Sequence, residues 1–547
     1  MGYFNLQSGE TTKVKEARMS KRVAIIGAGT SGIAAIKCCL DEGLQVTCFE
    51  RSDRIGGLWA YREDRDGQGC VFKSTIINTS KEMMCYSDYP IPKEYPNFMH
   101  HSYIEKYFLS YVDHFDLKRH IQFRTEVEKV TQAADYDTTG WWQVTTKNRD
   151  SGECTTDLFD AVMICIGHHT TPHIPDFPGL KDFQGTVTHT HEYKTPYHLI
   201  DKRVVVIGFG NSGVDAAVEL SRISSKVFLS TRTGAWILNR VGPQGNPIDI
   251  VVGTRFLNVF PTSLKDTMAK WQLQSKFDHS KYGLQPMHSP FQAHPLVNDD
   301  LPNRILSGAV TVKPNVARFT KTRVEFVDGT FENDIDCVIL ATGYTFSYPF
   351  VDCPSFQVVK NEVSLYKYVF PTDLKHPTIC TIGLVQPIGA IHPISELQCR
   401  WAARIFKHQA RLPPRPVMEA AIKKAKDDMS KRYIKSQRHT IQVDWIKYMD
   451  SIAVEIGVKP DLWKLFWSDP ALALRCFFGP CLPYQYRLMG PGKWSGAKDA
   501  INTMWERVNA PLKTRLPAVQ EKLGAANMLL RLGLAFLVIY IAICVVL

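Results

Sequence analysis

Two glycine-rich motifs of the form G-x-G-x-x-G constrain the fold of this chain more than any other feature. They are Gly27-Ala28-Gly29-Thr30-Ser31-Gly32 and Gly208-Phe209-Gly210-Asn211-Ser212-Gly213, and each comes after a short apolar run, residues 23–26 and 204–207. This pattern predicts a strand, a tight turn and a helix whose N-terminus faces the pyrophosphate of a dinucleotide. Either motif alone could be a glycine-rich turn without a ligand. Both together predict an α/β fold with two doubly wound, Rossmann-like dinucleotide-binding domains.

The residue about 20 positions after each motif indicates which dinucleotide is bound. After the first motif, the apolar run at residues 46–49 ends in Glu50, whose carboxylate can accept both hydroxyls of an adenosine ribose. After the second, residues 227–229 lead to Arg232 without an acid. A guanidinium matches a 2′-phosphate, which a carboxylate would repel. We therefore expect FAD or NAD at the first motif and NADPH at the second.

Composition excludes several other classes of protein. The chain is 44% hydrophobic and 22% charged, as in ordinary globular domains. Its net charge of +11 is spread along the chain, which favours phosphorylated cofactors or an anionic membrane over nucleic acid. The 14 cysteines form no C-x-x-C pair, which argues against a disulfide reductase and for a reduced, cytosol-facing protein. Apart from Cys165, no Cys or carboxylate lies at ligand spacing from His168-His169, so we expect no metal.

The C-terminal end predicts a membrane anchor. Residues 532–547 carry no charge and would extend about 24 Å as a helix at 1.5 Å per residue. Adding residues 529–531, with Arg531 at the interface, gives a length that can span a bilayer. The basic residues Lys513, Arg515 and Lys522 precede this segment and favour a cytosolic catalytic body. The alternative is a buried C-terminal helix.

Apolar runs that end near glycine at residues 161–166 and 337–341 predict two crossings between the domains. The NADPH domain would then be inserted in the first domain. The predicted boundaries are an N-terminal extension (1–20), a first domain in two parts (21–170 and 336–470), an NADPH domain (171–335) with an irregular insertion (234–303), a C-terminal wrap (471–528) and the anchor (529–547).

Further motifs resemble the flavin-containing monooxygenase family. Phe183-x-Gly185-x-x-x-His189-x-x-x-Tyr193 is similar to its identifying motif, and Gly56-Gly57-Leu58-Trp59 and Ala341-Thr342-Gly343-Tyr344 are also similar. The resemblance extends from residue 19 to residue 547. The segment Ile76-Ile77-Asn78-Thr79 is most similar to the fifth mammalian isoform.

The resemblance implies an NADPH- and O2-dependent FAD monooxygenase of the endoplasmic reticulum membrane. It would form a C4a-hydroperoxyflavin and oxygenate soft sulfur and nitrogen atoms of small lipophilic xenobiotics, with Baeyer–Villiger insertion into ketones as a further outcome. The alternatives are an NADPH oxidase that releases hydrogen peroxide and a non-catalytic FAD-binding scaffold. A homodimer is an open expectation.

The resemblance also implies site residues. Asn78 would be catalytic, because a neutral amide facing the flavin edge can donate a hydrogen bond without offering a proton. His189 and Tyr193 are expected to support the domain junction. The residues implied to bind FAD or NADPH are Gly27, Gly29, Thr30, Ser31, Gly32, Glu50, Arg51, Gly57, Leu58, Trp59, Ile77, Asn78, Thr79, Gly208, Gly210, Asn211, Ser212, Gly213, Val214, Asp215, Arg232 and Gln386.

Overall fold

Two five-stranded parallel sheets form the centre of the computed structural model, which describes residues 20–63, 68–434 and 440–515. In spatial order, the first sheet contains Ile379–Thr381, Ala161–Ile164, Arg22–Ile26, Gln45–Phe49 and Ile121–Gln122. The second contains Val310–Lys313, Lys226–Ser230, Arg203–Ile207, Cys337–Leu340 and Thr186–His189. Each glycine motif therefore begins at the carboxyl end of a central strand.

The local sequence explains both central strands and the helices after them. Val23, Ala24 and Ile25 are fully buried in one sheet, and residues 204–206, all valine, are fully buried in the other. The helices Thr30–Asp41 and Asn211–Leu220 begin directly after the turns and pack against their own sheets. The predicted strands at 23–26, 46–49, 204–207 and 227–229 are confirmed to within one residue at each end. The predicted α/β class with two Rossmann-like sheets is confirmed as well.

The chain crosses between the sheets twice, and the two crossings lie side by side. Thr171–Pro172, on the outward path, pairs antiparallel with Tyr344–Thr345 on the return path. The boundary predicted at residues 335 and 336 is wrong, because Cys337–Leu340 pairs with Arg203–Ile207 and Thr186–His189 in the second sheet. A short apolar strand has the same local pattern in either sheet, so its sequence does not identify its neighbours.

The remaining parts are mostly helical. The insertion at 234–303 is more regular than predicted and contains the helices Ile248–Val252, Arg255–Val259 and Thr262–Lys276 and the strand pair Ile237–Leu238 and Leu296–Val297. Other helices are Lys81–Met84, His101–His114, Tyr136–Thr139, Leu301–Leu306, His392–Phe406, Arg415–Arg432 and Trp445–Glu455. Smaller sheets comprise Val351–Asp352, Thr125–Gln132, Trp142–Asn148 and Cys154–Phe159; Val316–Phe319, Val324–Phe326 and Phe331–Glu332; and Gln386–Ile388 with Gln442–Asp444.

The C-terminal part forms short helices, where the sequence predicted an extended wrap. These are Leu462–Ser468, Pro470–Phe478, Ala497–Asn502 and Met504–Asn509. We call the part of the chain built around the first sheet the first unit, and the part built around the second sheet, with its insertion, the second unit. Ion pairs attach the C-terminal part to the first unit: the buried Arg487 guanidinium contacts Glu396 at 2.6 Å and Asp88 at 2.8 Å. Arg507 contacts the fully buried Glu82 at 3.0 Å. The C-terminal part therefore completes the core of the first unit.

Two predicted segments fall outside the residues that the structure describes. These are residues 1–19 of the N-terminal extension and the anchor at 529–547. Among the described helices, none is both long enough and apolar enough to cross a membrane.

Candidate active site between the two glycine motifs

The first and third glycines of each motif are required by close packing. A Cβ atom on Gly27, whose φ is +96°, would lie 2.9 Å from the Cys165 carbonyl oxygen, and one on Gly32 would lie 1.8 Å from the Gly27 oxygen. In the second motif, a Cβ atom on Gly208 would lie 2.3 Å from the Ala341 oxygen, and one on Gly213 would lie 2.2 Å from the Gly208 oxygen. These four glycines hold each turn against its strand and helix.

The middle glycine of each motif faces space instead. A Cβ atom on Gly210 would meet no atom within 4 Å, and one on Gly29 would meet nothing closer than the Gly57 Cα at 3.6 Å. Gly57, with a φ of +57°, thus brings a second glycine loop against the first motif. A pyrophosphate needs this close approach to backbone at a helix N-terminus. The residues present therefore fit two dinucleotides.

Two side chains at the start of the helix Thr30–Asp41 are hydrogen-bonded to other parts of the protein. The Thr30 hydroxyl lies 2.9 Å from the Tyr86 hydroxyl, and the buried Ser31 hydroxyl donates to Ser395 at 3.0 Å. Ser31 and Ser395 lie in the first turns of two helices, so this bond brings the helix starts Thr30 and His392 together. Two helix N-termini in one place strengthen attraction for an anion. Because the Ser31 hydroxyl is bonded to Ser395, the predicted contact between Ser31 and a cofactor would come from its backbone N–H.

Glu50 is buried, and one of its carboxylate oxygens bonds to the first motif while the other bonds to the loop that follows Glu50. The backbone N–H groups of Ala28 and Ser52 donate to its carboxylate at 2.7 and 2.8 Å. A carboxylate has further lone pairs, so Glu50 can still accept ribose hydroxyls. Arg51 is exposed beside it, Leu58 is 38% exposed, and Trp59 lies 6.2 Å from His392, ring centre to ring centre.

His392 is a feature of this region that the sequence did not indicate. Burial lowers the pKa of its imidazole to about 3, so the ring is neutral. It is packed between the rings of Trp59 and Phe108, and neither ring nitrogen has a hydrogen-bond partner among the residues described.

The second motif leads to a different set of side chains. Arg232 is exposed just beyond the strand Lys226–Ser230, where a ligand phosphate can reach it. Ser212 is exposed and Val214 is buried. The Asp215 carboxylate accepts a hydrogen bond from Asn298 at 3.0 Å, and burial raises its pKa to about 6 while Arg240 opposes the shift.

Asn211 bonds to the insertion. Its Oδ1 accepts the Val297 N–H at 2.8 Å, and its amide group donates to the Pro295 carbonyl at 3.4 Å. Its side chain is therefore an anchor for the insertion, which the sequence did not predict.

Asn78 lies in the first unit but is held by the second. The Arg240 guanidinium donates through Nη2 to Asn78 Oδ1 at 2.7 Å and through Nε to the Ile77 carbonyl at 3.4 Å. Ile77 is buried, and Asn78 and Thr79 are half-buried. Because Oδ1 is occupied by a cation, the Asn78 amide is oriented with Nδ2 as its available donor.

A second residue of the insertion holds the same loop, residues 77–80, which we call the Asn78 loop. The Asp249 carboxylate accepts the Ser80 N–H at 2.6 Å, and burial raises its pKa to about 6. Sequence reasoning missed Arg240 and Asp249. No local pattern marks them, because they meet the Asn78 loop only when the two units pack together.

The other predicted residues have structural partners. Gln386 begins the strand Gln386–Ile388, and its side chain is half-buried. His189 Nδ1 accepts the His191 N–H at 3.0 Å, and burial lowers its pKa to about 4. The Tyr193 hydroxyl donates to Glu219 at 2.7 Å. Across residues 20–63, 68–434 and 440–515, no group of His, Cys, Asp and Glu side chains converges as a metal site would require.

The site has two dinucleotide cradles, each built on a glycine turn at a helix start, and a polar loop held between the units. These features define a protein that binds two dinucleotides, as a flavoprotein oxidoreductase that also uses a nicotinamide dinucleotide does. Residues 20–547 match the family model described as Flavin-binding monooxygenase-like. The chain belongs to that family. It is a flavin-containing monooxygenase whose cofactors are FAD and NADPH.

Relatives cover almost the whole chain. Flavin-containing monooxygenase 5 of Rattus norvegicus is 53% identical over 503 residues, which is 91% of this chain and 94% of that protein. Dimethylaniline monooxygenase [N-oxide-forming] 2 of Macaca mulatta is 45% identical over 528 residues, 95% of this chain and 98% of that protein.

Solved structures share the fold at lower identity. S-allyl-L-cysteine S-oxygenase from Allium sativum has a TM-score of 0.63 at 22% identity, covering 89% of this chain and 99% of that one. Cyclohexanone monooxygenase in an open form has a TM-score of 0.59 at 17% identity, covering 80% of this chain and 97% of that one.

Proposed function

We propose that the first motif binds FAD, that the second binds NADPH, and that Asn78 lies where the two cofactors meet. The observation that carries this proposal is the position of Asn78, which belongs to the first unit but bonds to Arg240 of the second at 2.7 Å. A residue held by both units is suited to act on chemistry that needs both nucleotides.

A bound FAD would supply the hydride-accepting and oxygen-transfer chemistry that NADPH and O2 require. This chain's residues bind and orient. Glu50 would hold the FAD ribose, and Arg232 would bind the 2′-phosphate that distinguishes NADPH from NADH. Asn78, with Oδ1 held by Arg240, would donate from Nδ2 toward the reacting oxygen without releasing a proton.

The proposed reaction is oxygenation of soft sulfur and nitrogen atoms in small lipophilic molecules. The name of the N-oxide-forming relative supports nitrogen as an acceptor. Insertion of oxygen beside a ketone carbonyl is a second proposed outcome, which rests on the resemblance of residues 76–79 to the fifth mammalian isoform. An NADPH oxidase that releases hydrogen peroxide is the alternative.

One set of assays distinguishes these outcomes. Purified FAD-loaded protein is given NADPH and either a small thioether or an aliphatic methyl ketone, while sulfoxide, ester, hydrogen peroxide and NADPH are measured together. Sulfoxide with little peroxide supports heteroatom oxygenation, and ester supports ketone insertion. NADPH consumption that yields only peroxide would overturn both and support the oxidase.

Asn78→Ala tests the role of the amide. It should leave FAD content unchanged but divert NADPH consumption from product to hydrogen peroxide. Asn246→Ala is the matched control: its side chain lies in the insertion and donates to the Pro243 carbonyl, so this variant should keep the wild-type ratio. If both variants keep that ratio, Asn78 lies outside the reacting centre.

We further propose that residues 529–547 anchor the protein in the endoplasmic reticulum membrane with the catalytic body in the cytosol. The apolar sequence of this segment and the basic residues before it support the proposal. The helix Leu462–Ser468 adds support, because Trp463 and Trp467 are 76% and 80% exposed and tryptophan is enriched at membrane interfaces.

Deletion after Gly524 tests the anchor. The truncated protein should move from the membrane fraction to the soluble fraction and keep FAD and most activity, since Arg507 and its partner Glu82 remain. A truncated protein that cannot fold would favour a buried C-terminal helix instead. A truncated protein that still sediments with membranes would show that another surface suffices for attachment.

A further inference from the structure

We propose that Arg240 is a positioning residue that couples nucleotide binding at the second motif to the placement of Asn78. This inference rests on the proposed function, because it takes the second motif as the NADPH site. Three sets of hydrogen bonds connect the motif to Asn78, and Arg240 is the central member.

The first set joins the second motif to the insertion. Asn211 accepts the Val297 N–H at 2.8 Å, and Asp215 accepts a hydrogen bond from Asn298 at 3.0 Å. Both acceptors lie in the helix that starts at the motif, and both donors lie in one short segment of the insertion. A ligand that orders this helix start therefore also orders the segment at residues 297–299.

The second set joins that segment to Arg240. Asp299 accepts the Arg240 backbone N–H through Oδ1 and the guanidinium Nη1 through Oδ2, both at 2.9 Å. Only 13% of the Arg240 side chain is exposed. The strand Ile237–Leu238, two residues before Arg240, also pairs with Leu296–Val297. Backbone and side chain of Arg240 are thus fixed to the same segment.

The third set reaches the Asn78 loop. The remaining guanidinium donors contact Asn78 Oδ1 at 2.7 Å and the Ile77 carbonyl at 3.4 Å. A planar guanidinium can hold an acid on one edge and an amide on the other, whereas the compact ammonium of lysine cannot reproduce that geometry. Arg240 therefore sets the amide orientation of Asn78 according to the position of Asp299.

The consequence is a reciprocal linkage between the two sites. If NADP+ binding stabilises residues 297–299 and hence one position of the Asn78 loop, then a substitution that shifts this loop must also alter NADP+ affinity, because the coupling free energy acts in both directions. A linkage of this kind is typically about 5- to 150-fold. Loss of Arg240 should remove the linkage and leave each site able to bind.

Hydrogen exchange of the FAD-loaded full chain, with and without saturating NADP+ and without turnover, tests the proposal. In the wild type, NADP+ should slow exchange at residues 208–215 and also at residues 77–84. Arg240→Met should keep the first effect and lose the second, and Arg240→Lys should restore it in part. Arg222→Met is the control: Arg222 pairs with the neighbouring Asp300 at 2.9 Å, is about half exposed, and should keep both effects.

NADP+ dissociation constants give a second measurement. Asn78→Ala should change the constant more in the wild-type background than in the Arg240→Met background, because only a direct contact between Asn78 and NADP+ remains without Arg240. If Arg240→Met does not fold, Asp299→Asn replaces it with the same expectations.

The outcomes separate this inference from the proposed function. If NADP+ fails to protect residues 208–215 in the wild type, the assignment of the second motif is overturned. If it protects that motif but never residues 77–84, or if Arg240→Met keeps both effects, the linkage through Arg240 is overturned and the assignment stands.

Discussion

The two glycine motifs have the same backbone design but different surroundings. In each, the outer glycines pack against carbonyl oxygens and the middle glycine faces space. Glu50, after the first motif, is buried and bonded to the backbone at both oxygens. Arg232, after the second, is exposed. The acidic side chain is therefore part of the folded loop, while the basic one extends into solvent beside its motif.

This difference separates stability from selectivity. A residue that bonds to its own loop contributes to folding and binding together, so its removal affects both. A residue exposed beside an otherwise complete loop contributes to binding alone. Substitutions at the two motifs test whether folding and binding separate in this way. The outer glycines, which pack against backbone oxygens in both motifs, are the positions where a substitution should destabilise the fold most.

The largest effect is expected from Gly32→Ala and Gly213→Ala. Their new methyl groups would lie 1.8 and 2.2 Å from backbone oxygens, so the turn must shift, at a cost of about 3 kcal/mol or more. Gly210→Ala meets open space and should cost about 1 kcal/mol or less. Soluble yield and Tm measure the difference. Equal Tm values for Gly213→Ala and Gly210→Ala would contradict the packing argument.

Arg232→Ala should leave Tm unchanged and weaken NADPH use. The loss of a phosphate contact worth about 1.5–3 kcal/mol corresponds to a rise in KM of about tenfold or more. The KM for NADH, which lacks the 2′-phosphate, should stay within about twofold. Arg222→Ala is the control for a lost surface arginine. Equal losses for NADPH and NADH would refute the assignment of Arg232.

Glu50→Gln should lower both Tm and FAD retention. A glutamine keeps one acceptor oxygen, so either the Ala28 or the Ser52 N–H loses its partner, at a cost of about 1–3 kcal/mol. Thermal unfolding monitored by flavin release measures both quantities. A variant with normal Tm and weaker FAD binding would show that Glu50, like Arg232, contributes to binding alone. That result would contradict the proposed difference between the two motifs.

The smallest effect is expected from Asp215→Asn, and it depends on pH. Burial raises the folded-state pKa of Asp215 from its ordinary value of 3.8 to about 6, so the wild-type carboxyl favours the folded state below pH 3.8 and loses that contribution as pH rises toward 6. The Tm of Asp215→Asn relative to wild type should therefore increase between about pH 5 and pH 7, by the equivalent of about 1 kcal/mol. Asp300→Asn, at a half-exposed carboxyl that pairs with Arg222, is the control. A difference that falls with pH would contradict the assigned shift.

The sequence predicted the parts of the site that depend on local pattern. Both motifs and their strands are evident from glycine spacing and short-range apolar runs. The same pattern gives the positions of Glu50 and Arg232, whose contacts with the nucleotides stay predictions. The positions of Arg240 and Asp249 could not be predicted, because each bonds to a loop far away in the chain and belongs to an insertion without a repeating pattern. The sheet that takes Cys337–Leu340 was misassigned for the same reason: strand pairing is decided between distant segments.

The C-terminal ion pairs have a consequence for the order in which the protein folds during synthesis. The first unit contains the strand Arg22–Ile26 near the start of the chain, yet Glu396 and Glu82 in its core need Arg487 and Arg507 as partners. A buried carboxylate without its partner is costly, so the first unit cannot reach its final stability until nearly the whole chain has left the ribosome. The inserted second unit has all five strands between residues 186 and 340 and can fold first. The unit that contains the first strand to be synthesised is therefore the unit that completes its folding last.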